Sequence, residues 1–210
     1  MQRPESITHL PTIDLLAMLL GSRRSAHALL HEAKGSLFNL LHRPPEPSGS
    51  LLCAQERGAY EDKHITRLHV ARELAARALA EQLAHRDALT SPEAVRAFLI
   101  HSLGGLKREV FVVLYLDAMH RVITTEELFK GDLTETACYP RQVAVSALSH
   151  GAAALIVAHN HPSGQPQPSR ADEVLTQGLK ETMKVFNIKL LDHFIVAGNQ
   201  AMSFAERGLL

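Results

Sequence analysis

The stretch Gly151-Ala152-Ala153-Ala154-Leu155-Ile156-Val157-Ala158-His159-Asn160-His161-Pro162-Ser163-Gly164 decides the fold. Its first part is a run of small and apolar residues of strand length, entered from a glycine, the pattern of a strand buried on both faces. The far end of that strand carries two histidines. In an extended chain residues two apart project to the same side, so the imidazoles of His159 and His161 converge on one point just beyond the sheet, while Asn160 turns away. Pro162, Gly164, Pro166 and Pro168 stop the strand and supply a stiff loop that brings Asp172 back toward the histidines. Two imidazole nitrogens and one carboxylate leave one position of a tetrahedral zinc ion open, which marks a catalytic rather than a closed structural site.

Ser169 and Asp172 also fit a second pattern. A serine followed three residues later by an acid is a capping-box signature, here opening a helix in which Val174, Leu175, Leu179, Met183 and Phe186 fall near one face. Capping explains these two residues without a metal. It does not explain two histidines at a strand end followed by a proline-punctuated turn. A further carboxylate, Glu109, stands immediately before Val110-Phe111-Val112-Val113-Leu114-Tyr115-Leu116, a β-branched and aromatic run that reads as a central strand. On local pattern alone, Lys107-Arg108-Glu109 reads better as a solvated charged stretch than as a proton carrier.

These residues resemble a known family. The string HNHPSG followed by PSRAD is similar to the JAMM/MPN metalloprotease motif in the form carried by bacterial RadC proteins. The likeness continues through Arg108-Glu109-Val110-Phe111, Glu126 to Gly131, Tyr139-Pro140-Arg141, Leu191-Asp192-His193 and Ser203 to Leu210, in that order, and is close over roughly residues 90 to 210. The resemblance implies zinc ligands at His159, His161 and Asp172, a catalytic glutamate at Glu109 and an oxyanion-assisting serine at Ser169. It implies hydrolysis of a peptide or isopeptide bond in a protein or peptide substrate by a zinc-activated water, with Glu109 as base. It also implies a mixed sheet flanked by helices, related in architecture to the cytidine deaminase fold. Two other functions follow from the same comparison. A zinc nucleobase deaminase would pair His-x-Glu with Pro-Cys-x-x-Cys, whereas this chain has His-x-His and no cysteine pair. A non-catalytic metal-binding adaptor in DNA repair or other DNA transactions is the alternative from another class, disfavoured by the intact ligand and glutamate set.

The 210 residues suffice for one well-packed domain and a small helical one, an expected division into residues 1–88 and 89–210. Apolar runs such as Leu15 to Leu20 fall well short of the roughly 20 residues that span a membrane, and no basic, apolar leader opens the sequence, so a cytoplasmic location is expected. Cys53 and Cys138 lie apart without a Cys-x-x-Cys pattern and read as buried free thiols. Lys plus Arg equals Asp plus Glu, at 22 each, so the basic excess expected of a nucleic-acid binder is missing.

The N-terminal part reads as helices. Thr12 caps one that ends at Gly21, Ser25 caps one that ends near Gly35, and a third runs from Ser36 to His42. After a break at Pro44 to Gly49, a long helix over about residues 62–85 carries a stripe of Ile65, Leu68, Leu79 and Leu83. Ser91-Pro92-Glu93 then restarts structure, placing the boundary near Leu89. RadC proteins commonly carry a helix-hairpin-helix in this region. Here the corresponding Cys53 to Asp62 has acids where glycine and cations would meet a phosphate, which argues against DNA binding. Toward the C-terminus, Pro140 to His150 reads as a helix with Val143, Ala144, Ala147 and Leu148 on one face, and Ile188 to Leu191 and Phe194 to Val196 read as strands separated by His193, which is structural or supports a metal ligand, since ligation is complete without it.

Overall fold

The computed structural model describes residues 7–42, 54–85, 88, 92–130 and 140–210. Cys53, Cys138, the Ser91 cap and the boundary near Leu89 lie outside them. The chain packs as two compact units, Met1–Ala75 and Ala76–Leu210.

In the first unit, α1 (Thr12–Leu20), α2 (Arg23–Glu32), α3 (Leu37–Leu41) and the start of α4 (Ala54–His85) bury Leu16, Leu20, Ala26, Leu29, Leu40 and Leu68. Two expected caps fall elsewhere. Thr12 is the first helical residue of α1, with Pro11 at the cap position and no side-chain cap bond. Gly21 ends α1 in the left-handed region at φ 73°, which lets Ser22 extend and cap α2: Ser22 Oγ accepts from Ser25 N at 3.2 Å. Ser25 is already inside the helix. Ser36 caps α3. Helix α4 begins at Ala54 rather than Asp62, because Ala54-Gln55-Glu56-Arg57 are strong helix formers.

The second unit is a five-stranded mixed sheet flanked by helices, the α/β architecture expected. Strands β1 (Val110–Leu116), β2 (Val122–Lys130), β3 (Ala154–Asn160), β4 (Lys189–Ala197) and β5 (Gln200–Ser203) lie in the order β2-β1-β3-β4-β5. Only the β3–β4 pair is parallel, and α7 (Arg170–Val185) makes its crossover. Every residue of β1 and β3 is buried, and the two-residue period divides each strand between two cores. Val110, Val112, Leu114, Leu116, Ala154, Ile156 and Ala158 pack on one face with α5 (Pro92–Leu103). Phe111, Val113, Tyr115, Leu155 and Val157 pack on the other with α6 (Pro140–Ser149) and α7. Helices on both faces explain why these strands read as continuous apolar runs.

Three details differ from the pattern read in the sequence. The buried stripe of α7 is Asp172, Thr176, Leu179 and Met183, while Val174 and Phe186 are exposed. Its first turn buries polar residues, so judging the face from apolar positions alone rotates it. Leu148 of α6 is exposed as well. The two expected strands around His193 are one continuous strand, β4, and His193 is fully buried within it.

Candidate metal centre

His159 lies on the α7 face of the sheet, opposite Phe111 in the antiparallel β1–β3 register. Asn160, on the opposite face, is what joins the end of β3 to the start of β1. Its Oδ1 accepts from Val110 N at 2.8 Å, and its Nδ2 donates to the carbonyls of Leu106 at 3.2 Å and Arg108 at 2.9 Å. The segment entering β1, with Glu109 in it, is thereby tied to the histidine-bearing strand. Continuing the register two places past Phe111–His159 sets Glu109 level with His161. Glu109 is half-buried and close enough to His161 to raise its pKa electrostatically.

Past the strand, Gly164 adopts φ +80° and donates from N to His161 O at 3.1 Å, a turn that residues with a Cβ rarely make. The turn brings the Gln165 carbonyl within 2.9 Å of His161 Nδ1. A carbonyl can only accept, so Nδ1 carries a proton and Nε2 is the nitrogen left to face a metal. The chain then enters α7 through a capping box. Ser169 Oγ accepts from Asp172 N at 3.2 Å, and Asp172 Oδ2 accepts from Ser169 N at 2.7 Å and Ser169 Oγ at 2.6 Å. Capping and convergence on the histidines are thus two properties of one carboxylate.

His159 Nε2 stands 2.9 Å from His161 Nε2 and 3.2 Å from Asp172 Oδ1, and His161 Nε2 stands 3.6 Å from Asp172 Oδ2. Among the described residues this is the one group of three such side chains whose ligand atoms lie within 4.8 Å of one another. The cluster can hold a metal ion. Four donors at 2.0–2.1 Å in a tetrahedron are about 3.3 Å apart, so edges of this size and a nitrogen, nitrogen, oxygen donor set fit zinc. His159 and Asp172 are buried, and His161 keeps 14% of its side chain exposed, so the cluster reaches solvent on the His161 side.

The electrostatics agree with an anionic Asp172. Burial pushes its carboxyl up, but the neighbouring imidazoles of His159 and His161 and the Ser169 hydrogen bond outweigh that and hold the group well below the usual carboxylate range. Asp172, opposed by burial, raises His161, so a metal ion at Nε2 would displace a proton there. Burial drives His193 well below the ordinary histidine value, so it is neutral. His193 touches the cluster directly, its Nε2 2.9 Å from His159 Nδ1 and its Nδ1 2.6 Å from Thr176 Oγ1. His193 is thus the support of a ligand rather than a ligand, one of the two roles expected of it, whereas Thr176 went unnoticed although it stands one turn beyond Asp172 on the same helix face.

Comparison with known proteins places this arrangement. The model of the RadC-like JAB domain matches residues 89–209. A UPF0758 protein of Dechloromonas aromatica is 54% identical over 186 residues, covering 88% of this chain and 80% of that one. One from Polaromonas sp. is 44% identical over 203 residues, covering 94% and 88%. Another from Nitrosomonas eutropha is 54% identical over 146 residues, or 70% of this chain, and the match spans 65% of that relative's length. With the family model matching more than half the chain and relatives aligned along most of it, this protein belongs to the RadC-like JAB domain family.

Proposed function

We propose that this chain is a zinc-dependent hydrolase of peptide or isopeptide bonds, with His159, His161 and Asp172 as ligands, Glu109 as proton carrier and Ser169 assisting the oxyanion. The observation that carries the reading is the convergence of two imidazole Nε2 atoms and one carboxylate at the solvent-reached end of β3. Zinc bound there would supply a Lewis acid that lowers the pKa of water toward about 7 and polarises a carbonyl. Glu109, level with His161, takes the proton of the attacking water and returns it to the leaving amine. Ser169 reaches the oxyanion by turning its hydroxyl away from Asp172 Oδ2, where it donates in the resting arrangement. Donors of this kind admit other divalent metals, and zinc is preferred for its match to two nitrogens and one oxygen.

A cytoplasmic protein or peptide substrate belongs to the same proposal, and DNA is not a partner in it. Among the described residues no helix is long and apolar enough to cross a membrane. The test compares zinc-loaded wild type with Glu109→Gln on peptide and isopeptide substrates. The expected result is cleavage by the wild type and retention of zinc with turnover reduced roughly 10²–10⁴-fold in the variant. Equal turnover would remove Glu109 from the mechanism. A zinc-loaded wild type that cleaves neither class would favour a non-catalytic adaptor.

A further inference from the structure

We infer that Thr176 and His193 form a buried proton-ordered relay that fixes His159 in its Nδ1-protonated tautomer, so that its Nε2 lone pair faces the metal position. The geometry stands by itself; its purpose rests on the metal reading above. The order of protons follows from one end. Thr176 Oγ1 lies 2.6 Å from the main-chain carbonyl of Asp172, one helical turn back. A carbonyl has no hydrogen to give, so the threonine spends its only proton there. Toward His193 Nδ1, at 2.6 Å, Thr176 Oγ1 can therefore only accept, and Nδ1 carries a hydrogen.

His193 is 0% exposed and its ring nitrogens meet Thr176 and His159, neither of them an anion that would hold a second proton on it, so the imidazole is neutral and its Nε2 is bare. His159 Nδ1, 2.9 Å away, must then donate to it. With Nδ1 committed to that bond, Nε2 is the nitrogen of His159 left to take a metal, beside His161 Nε2 and Asp172 Oδ1. Since the hydrogen bond at one ring nitrogen sets which nitrogen is left for a metal, the threonine two groups away sets His159 as a ligand through Nε2. The relay begins on the backbone of Asp172 and ends beside its side chain, so the start of α7 places the carboxylate and sets the histidine together. A metal-bound histidine is often supported by a carboxylate. An imidazole in that place orients His159 without adding negative charge, leaving Asp172 as the only anion of the ligand set and any bound cation correspondingly more Lewis acidic.

The test uses full-length protein labelled with ¹⁵N, stripped of metal, and long-range ¹H–¹⁵N correlations that report ring protonation. His159 and His193 are both expected as Nδ1–H. Zinc affinity is then measured by chelator competition for wild type, Thr176→Ser and Thr176→Val, with circular dichroism confirming that each is folded. Thr176→Ser, which keeps the acceptor, is expected to hold zinc as the wild type does. Thr176→Val, which removes it from a site of the same shape, is expected to weaken zinc about 10–100-fold. An Nε2–H tautomer at His159 or His193 in the wild type overturns the relay, as does equal zinc affinity in the wild type and Thr176→Val. Should the wild type show the expected tautomers and yet bind no zinc, the relay stands and the metal reading fails.

Discussion

Asp172 Oδ2 takes two hydrogen bonds from Ser169 while Oδ1 faces His159 Nε2 at 3.2 Å, so the helix cap and the ligand set share one side chain. Ser169→Ala is therefore predicted to do two things at once. It removes an N-cap, lowering stability by about 1 kcal/mol, and it leaves the Asp172 carboxylate held by the residue 169 backbone N–H without the hydroxyl, weakening zinc by up to about 10-fold. Urea denaturation and chelator competition on the same preparation read both, and a stability loss with unchanged zinc affinity would make Ser169 a cap alone. Asn160 is the second pivotal residue. Replacing it with Ala orphans the Val110 N–H and the Leu106 and Arg108 carbonyls, at about 1–3 kcal/mol for each group kept from water. Asn160→Ala is expected to lower unfolding free energy by more than about 2 kcal/mol. A change under about 0.5 kcal/mol would show that the tie to the Glu109 segment carries no stability. The histidine pair was legible because a two-residue spacing at a strand end has one geometric meaning. Thr176 and the partners of Asn160 were not, because each acts through residues distant in sequence, although the outward turn of Asn160 itself was expected.

Strands β1 and β3 and helix α7 announce themselves in sequence through long apolar runs or clear periodicity. Strand β2 does not, for among the described residues it pairs on one side, to β1, and Thr124, Thr125, Glu126 and Glu127 give it a polar sequence. Strand β5, only Gln200–Ser203, is too short for a pattern. Besides its backbone ladder to β1, a polar triangle away from the metal centre ties β2 to β1 and α6. Ser146 Oγ of α6 donates to Glu126 Oε2 at 2.5 Å, and the hydroxyl of Tyr115 lies 2.8 Å from Ser146 Oγ and 3.0 Å from Glu126 Oε2. The Ser146 hydrogen bond, aided by those of Tyr115 and His150 against a small burial penalty, holds the Glu126 carboxyl below its ordinary value. A carboxyl depressed in the folded state adds stability above its unfolded pKa, about 4.3, and loses it as pH falls through the folded value. Glutamine does not titrate. The melting temperature of the wild type should thus exceed that of Glu126→Gln above about pH 5, and the gap should close in acid. A gap that widens as pH falls would contradict the assignment.

At the scale of the molecule, residues from α4 onward supply the second unit with its own cores on both faces of the sheet. Leu83 and Ala88 are buried in one of them and Leu79 packs against it, although the family match begins at residue 89. A chain beginning at Ala76 should therefore fold and bind zinc. One beginning at Thr90 loses Leu83 and its neighbours and should be less stable by about 2–5 kcal/mol, the usual result of emptying a buried leucine site. Equal denaturation midpoints and slopes for the two would show that α4 is dispensable to this core. Whether the full chain is a metal protein is read from its metal content. Plasma mass spectrometry of wild type and His161→Ala, purified in parallel without chelator, should find about one zinc per wild-type chain and its loss in the variant. No metal in the wild type, even after reconstitution with zinc, would contradict the account.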